Sequence, residues 1–78
     1  MQDVIVHRYR VIFEREQDSS YSVHCPTLKG CHSQGETYEE ALENIREAIL
    51  GWLEVAQEFG DPIPESDVMQ ETLVEVAA

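Results

Sequence analysis

The segment from Thr37 to Pro62 constrains this chain more than any other, because it carries a helix start, a helix stop and a two-faced pattern between them. Thr37 is a good N-cap, with a hydroxyl able to accept a backbone N–H of the first turn. Glu40, three residues on, completes a capping-box pattern. Glu39 and Glu40 suit the positive end of the helix dipole. At the far end Gly60 can take the left-handed conformation that closes a helix, and Pro62 forbids continuation. The spacing predicts a helix over residues 38–59, about 33 Å long.

The faces of this helix separate when successive side chains are placed about 100° apart. Ala41, Ile45, Ala48, Ile49, Trp52, Val55, Ala56 and Phe59 form one stripe, with Leu42 and Leu53 on its shoulder. Glu40, Glu43, Glu47, Glu54 and Glu58 form the opposite ridge, and Leu50 falls among them. Gly51 sits mid-helix at a cost of about 1 kcal/mol relative to alanine. It fits either a close helix contact or drift.

Such a stripe needs a surface to cover, and the N-terminal half supplies one. Residues 4–14 are rich in β-branched and aromatic side chains, which fit a pleated sheet. Alternation puts Tyr9, Val11 and Phe13 on one face. Residues 17–20 read as a turn, and residues 21–25 alternate again, with Tyr21, Val23 and Cys25 on one side. Pro26 stops the ladder because it has no N–H to donate. Residues 26–30 form a loop, residues 31–34 a short third strand, and Gly35 turns the chain towards the helix. After a polar connector at residues 61–66, residues 71–77 read as a last strand, with Val74 and Val76 pointing one way and Glu75 the other. The expected class is α+β in the order β-β-β-α-β, one long helix packed on a small antiparallel sheet.

With 78 residues this is one domain, residues 1–78, with one core. Oligomerisation would add buried area to a chain this short, so a homo-oligomer, a dimer or larger, is expected. Charge is distributed unevenly. Residues 1–35 carry four acidic and four basic side chains, whereas residues 36–78 carry twelve acidic and one basic, Arg46, so the net −11 sits entirely on the second half. A negative field repels phosphate backbones, which argues against direct nucleic-acid binding and favours a basic protein partner. Acidity that only keeps the chain soluble is the alternative. No stretch approaches the roughly 20 apolar residues of a membrane span. Nor does the N-terminus resemble a secretory signal, so a cytoplasmic location and free thiols are expected.

The chemistry-bearing residues each have a functional and a structural reading. His24, Cys25, Cys31 and His32 are zinc ligand types. Their spacing is wrong for a knuckle, and alternation sends His24 and Cys25 to opposite strand faces. Two buried thiols beside two exposed imidazoles is the favoured reading, with no metal and no cofactor. The carboxylates sit on the exposed ridge or in the tail, not in a concave site suited to acid–base work. Trp52 lies within the apolar stripe and reads as core. The ridge is the interaction candidate: Glu43, Glu47 and Glu54 around Leu50 give an apolar anchor ringed by charge. The alternative for Leu50 is a singly exposed leucine, which surfaces tolerate.

Taken together, Tyr9-x-Val11-x-Phe13, Tyr21-x-Val23, Pro26-x-Leu28-x-Gly30-Cys31, Gly35-x-Thr37, Glu40-Ala41, Asn44 and Ile63-Pro64 resemble the HicB-like antitoxin family over nearly the whole chain. Within that pattern Pro26, Leu28, Gly30, Cys31, Gly35, Thr37, Glu40 and Ala41 are signature positions read as structural. The resemblance implies a degraded RNase H-like fold. It also implies a partner, a small basic RNA-acting toxin of a type II toxin–antitoxin pair whose active site is blocked. Many members add a C-terminal DNA-binding module; here none is expected. The implied role is a non-catalytic antitoxin. An orphan structural or regulatory module is the alternative, and a vestigial metal-dependent hydrolase a more distant one. The first strand offers no inward carboxylate, since Asp3 precedes it and Glu14 lies opposite Tyr9, whereas a two-metal nuclease needs several converging carboxylates.

Overall fold

Strands β1 (Ile12–Arg15), β2 (Tyr21–His24) and β3 (His32–Gly35) precede helix α1 (Tyr38–Glu58) in a computed structural model that describes residues 5–68 and 72–78. The sheet is antiparallel in the order β1-β2-β3, with Phe13 opposite Val23 and Val23 opposite Ser33. This register aims alternate side chains at the helix. Val23, Cys25, Leu28, Cys31, Ala41 and Ile45 form the buried core, and Tyr9, Val11, Phe13, Tyr21, Leu42, Ala48, Ile49 and Trp52 pack around it.

Local chemistry explains each connection. In the first hairpin Glu16 N–H donates to Ser20 O (2.8 Å) and Ser19 N–H to Glu16 O (3.0 Å), with Ser19 left-handed at φ 71°. Asp18 Oδ1 accepts both the N–H (3.0 Å) and the hydroxyl (2.6 Å) of Ser20, and these bonds hold its carboxyl below the usual carboxylate range. Residues 25–31 form two turns that share Leu28. Leu28 N–H donates to Cys25 O (3.2 Å), Cys31 N–H to Leu28 O (3.0 Å), and Cys25 N–H closes the loop on Cys31 O (2.9 Å). Pro26 stands second in the first turn, where its fixed φ is favoured, and Gly30 stands third in the second, where φ 77° suits glycine. Leu28, 0% exposed, plugs the loop into the core.

Helix α1 begins as expected: Thr37 Oγ1 accepts Glu40 N–H at 3.1 Å. The reciprocal bond differs by one residue, because Glu40 Oε1 accepts the N–H of Glu36 (3.3 Å), not that of Thr37. At the end, Gly60 (φ 71°) donates to Gln57 O (3.2 Å) and Asp61 N–H to Ala56 O (2.8 Å), the paired bonds of a Schellman cap. Gly35 lets the helix approach: a Cβ there would stand 2.4 Å from Ala41 N. Asn44 Nδ2 ties the helix to β3 through Gln34 O at 2.7 Å.

The structure departs from the sequence expectations in four places. The first strand was expected over residues 4–14; Val4 lies outside the described residues, and ladder pairing begins only at Ile12. Past His24 the partner strand reaches Pro26 and turns away, so residues 5–11 run extended without it. The third strand lies one residue later than expected, at His32–Gly35. Val55 (53% exposed) and Phe59 (72%) leave the core stripe, Val55 on the open flank beside buried Ala56 and Phe59 past that last buried helix residue, whereas Leu53, placed on the shoulder, is buried. The α+β class and the order β-β-β-α hold, but no final strand forms among the described residues. Glu71 lies outside the described residues, and residues 72–78 form no strand with any described residue, with Leu73 99%, Val74 79% and Val76 79% exposed.

Candidate protein-binding surface

The ridge of α1 faces away from the sheet because its core stripe is docked on the other side. Glu43, Glu47, Leu50 and Glu54 are all exposed, Leu50 by 55%. One helical turn separates Glu43 from Glu47 and Leu50 from Glu54, so the four form one patch. Arg46 Nε stands 4.0 Å from Glu43 Oε2 with both side chains about two-thirds exposed, a pairing worth little in water. The ridge therefore presents carboxylates with most of their charge uncompensated, and an apolar side chain among them. A surface of this kind can hold a cationic partner by electrostatic steering and one desolvated contact.

Leu50 also borders an apolar groove of about 560 Å³ between residues 7–11 and the helix, lined by Val11, Leu42, Ile49 and Leu53 among others. Arg8 and Arg46 line it as well, two of the five cationic side chains in the chain. Gly51 faces the other flank of the helix, where it lines a second hollow of about 430 Å³ with Ala48, Val55 and Cys31. A Cβ on Gly51 would meet nothing within 4 Å, so no contact among the described residues requires glycine there.

The signature positions surround the core. Cys25 and Cys31 are free and buried at the two ends of the closed loop. Burial, with a smaller contribution from Cys25, pushes the Cys31 thiol up, opposite to the shift of a reactive thiolate. His24 and His32 stand opposite one another across β2 and β3 on the face away from the helix, so the four zinc-type residues divide between core and surface. Among the described residues, no three His, Cys, Asp or Glu side chains gather as a metal site, and no buried side-chain polar atom lacks a partner. Trp52 Nε1 donates to Lys29 O at 3.0 Å, pinning the signature loop to the helix.

A latch that the sequence reading missed lies at residues 64–67. Asp67 Oδ2 accepts Arg10 N–H (2.8 Å), and both its carboxylate oxygens accept the Thr27 hydroxyl (2.8 and 3.0 Å). Asp67 N–H donates to Arg8 O (2.8 Å), Arg8 N–H to Ser66 Oγ (3.0 Å) and the Tyr9 hydroxyl to Pro64 O (2.6 Å). This segment takes up backbone groups that β2 abandons at Pro26. The Arg10 N–H and the Thr27 hydroxyl hold the Asp67 carboxyl below the usual carboxylate range. A carboxyl whose folded pKa lies below its unfolded value stabilises above the unfolded pKa, and that contribution is lost as pH falls through the folded one. Urea midpoints should therefore fall below about pH 4. They should fall less steeply in Asp67→Asn, with Asp18→Asn separating the hairpin carboxyl that titrates with the same sign; identical acid limbs in the parent and Asp67→Asn would remove the latch from the stability of the fold.

Comparison with known proteins places this geometry. A family model described as HicB-like antitoxin of bacterial toxin–antitoxin systems matches residues 9–76. A UPF0150 protein of Synechocystis is 44% identical over 68 residues, covering 87% of this chain and 86% of its own. Another UPF0150 protein, from Thermoplasma acidophilum, is 38% identical over 66 residues, covering 85% of this chain and 96% of its own. The crystal structure of the N-terminal domain of the Burkholderia pseudomallei antitoxin HicB superposes with a TM-score of 0.68 at 34% identity, covering 76% of this chain and 69% of that one. No helix among the described residues is long and apolar enough to cross a membrane. Strands, loop signature, capped helix and family match agree: the chain belongs to the HicB-like antitoxins of bacterial toxin–antitoxin systems.

Proposed function

We propose that this protein is a non-catalytic antitoxin that binds and neutralises a small basic RNA-acting toxin, acting in the cytoplasm as a dimer or larger and without direct contact with nucleic acid. The observation that carries this reading is the exposed ridge of Glu43, Glu47 and Glu54 around Leu50 on a chain of net charge −11. A basic partner would meet the carboxylates at the rim and cover Leu50 at the centre. The toxin's own cationic RNA-binding surface is the natural complement, since the ridge offers negative charge where RNA would offer phosphate.

Calorimetry with a small basic protein, where one is encoded beside this gene, tests the reading. The parent should bind tightly, with affinity falling as salt rises. The triple charge reversal Glu43→Lys, Glu47→Lys, Glu54→Lys should weaken binding by about 100-fold or more while leaving the fold intact, because these side chains are exposed. Absence of binding at low salt, or unchanged affinity in the triple variant, would sink the assignment of this ridge.

A further inference from the structure

We propose that residues 72–76 of one copy add as a strand to the open edge of residues 5–11 of a second copy and fill the groove between that edge and α1. This goes beyond the toxin-binding reading and gives the self-association proposed with it a place in the fold.

Four observations converge on this pairing. In residues 72–76 Val74 and Val76 share one face opposite Glu75, as in a half-buried strand, yet both are largely exposed among the described residues. A strand pattern that buries nothing lacks its partner. The edge of residues 5–11 is the receiving side. The N–H groups of Arg8 and Arg10 point to the latch segment, which Thr27 places on the β2 side. Alternation then turns the backbone groups of Tyr9 and Val11 outward. An extended edge of this kind is a template for an added strand.

The groove supplies the third observation. It opens along that same edge, and a strand laid there would send every second side chain onto Leu42, Ile49, Leu50 and Leu53. Val74 and Val76 share a face and fit that role, which also gives the exposed Leu50 an apolar neighbour. Charge supplies the fourth. With Val74 and Val76 inward, Glu75 falls on the outer face, which Arg10 of the receiving edge shares by alternation, and opposite charges on neighbouring strands attract. The β3 edge carries no arginine or lysine in His32–Gly35.

Two copies of net charge −11 repel, so salt should strengthen this association by screening. Both contacts draw on Leu50 and so compete for it, and their opposite salt responses tell them apart: salt should weaken the binding of a basic toxin.

The test uses the full chain alone. Sedimentation equilibrium should show dimers that tighten with salt. Val74→Asp with Val76→Asp should raise the dissociation constant by about 100-fold or more, with the melting curve of the isolated copy unchanged, because neither side chain touches its own core. Hydrogen exchange should slow at the Tyr9 and Val11 amides as concentration rises in the parent, and not in the double variant. The reciprocal test mixes Leu50→Asp, with an intact tail and a damaged groove, with the double variant, whose groove is intact. Each alone should be monomeric, and the mixture should form heterodimers. A monomer at every concentration and salt, a dimer indifferent to Val74→Asp and Val76→Asp, concentration-independent protection of Tyr9 and Val11, or protection at His32–Gly35 instead would each overturn the proposal.

Discussion

Replacing Gly35 by alanine should unfold this protein or lower its melting temperature by more than about 15 °C. The added Cβ would stand 2.4 Å from Ala41 N, 2.9 Å from Ala41 Cα and 2.9 Å from the carbonyl carbon of Glu40. All three are helix backbone, which cannot swing aside as a side chain can. The first turn of α1 must lift, which disturbs the Thr37 cap and the Asn44 bond to Gln34. Overpacking and a lost cap together cost about 3–4 kcal/mol. A chain of this length holds about 4–12 kcal/mol in total. The same substitution at Gly51 should act with the opposite sign and add about 1 kcal/mol, since it gains helix propensity and meets nothing within 4 Å. Thermal melts followed by circular dichroism read both. A Gly35→Ala variant as stable as the parent would show that the helix–strand approach is looser than described.

Leu28→Ala should cost about 3 kcal/mol, or roughly 12–24 °C in melting temperature. Leu28 is 0% exposed and lies on a loop, where a fully buried leucine is unusual. Its backbone belongs to both turns of the Cys25–Cys31 loop, so the cavity left by truncation cannot collapse without opening one of them. The loss should appear in urea midpoints, and the exposed ridge of α1 should keep its shape. A variant that binds a basic partner normally once folded at low temperature would separate this structural role from recognition. A cost below about 1 kcal/mol would mean that the loop repacks around the smaller side chain.

These positions also show what a sequence discloses. Thr37, Gly60 and Pro62 announced the helix because caps are local: the atoms that meet are three to five residues apart. The double turn at Pro26 and Gly30 is local in the same way, through two fixed backbone preferences. The latch was not legible. Asp67 sits in a polar connector, and its partners Arg10 and Thr27 lie 57 and 40 residues away, so no spacing marks them. The last strand, absent among the described residues, departs from expectation for a related reason: alternation tells that a segment can pair, not with what. Val55 and Phe59 were assigned to the core by periodicity, which tells neither how wide the covered face of a helix is, as at Val55 beside buried Ala56, nor where the cover ends, as at Phe59. The ridge was legible as a charged face, but the groove beside it was not, because it is made by two segments more than 30 residues apart.

The contact between Trp52 and the Lys29 carbonyl gives the protein its own optical probe. The chain has one tryptophan, and its indole joins the middle of α1 to the signature loop. Its emission should therefore report the docking of helix on loop, while far-ultraviolet circular dichroism reports the helix itself. If the helix forms before it docks, the two signals will separate in time during refolding, and the order of assembly can be read without adding a label. Because the indole lies on the flank of α1 away from residues 7–11, the same signal should stay silent when the open edge at those residues is covered.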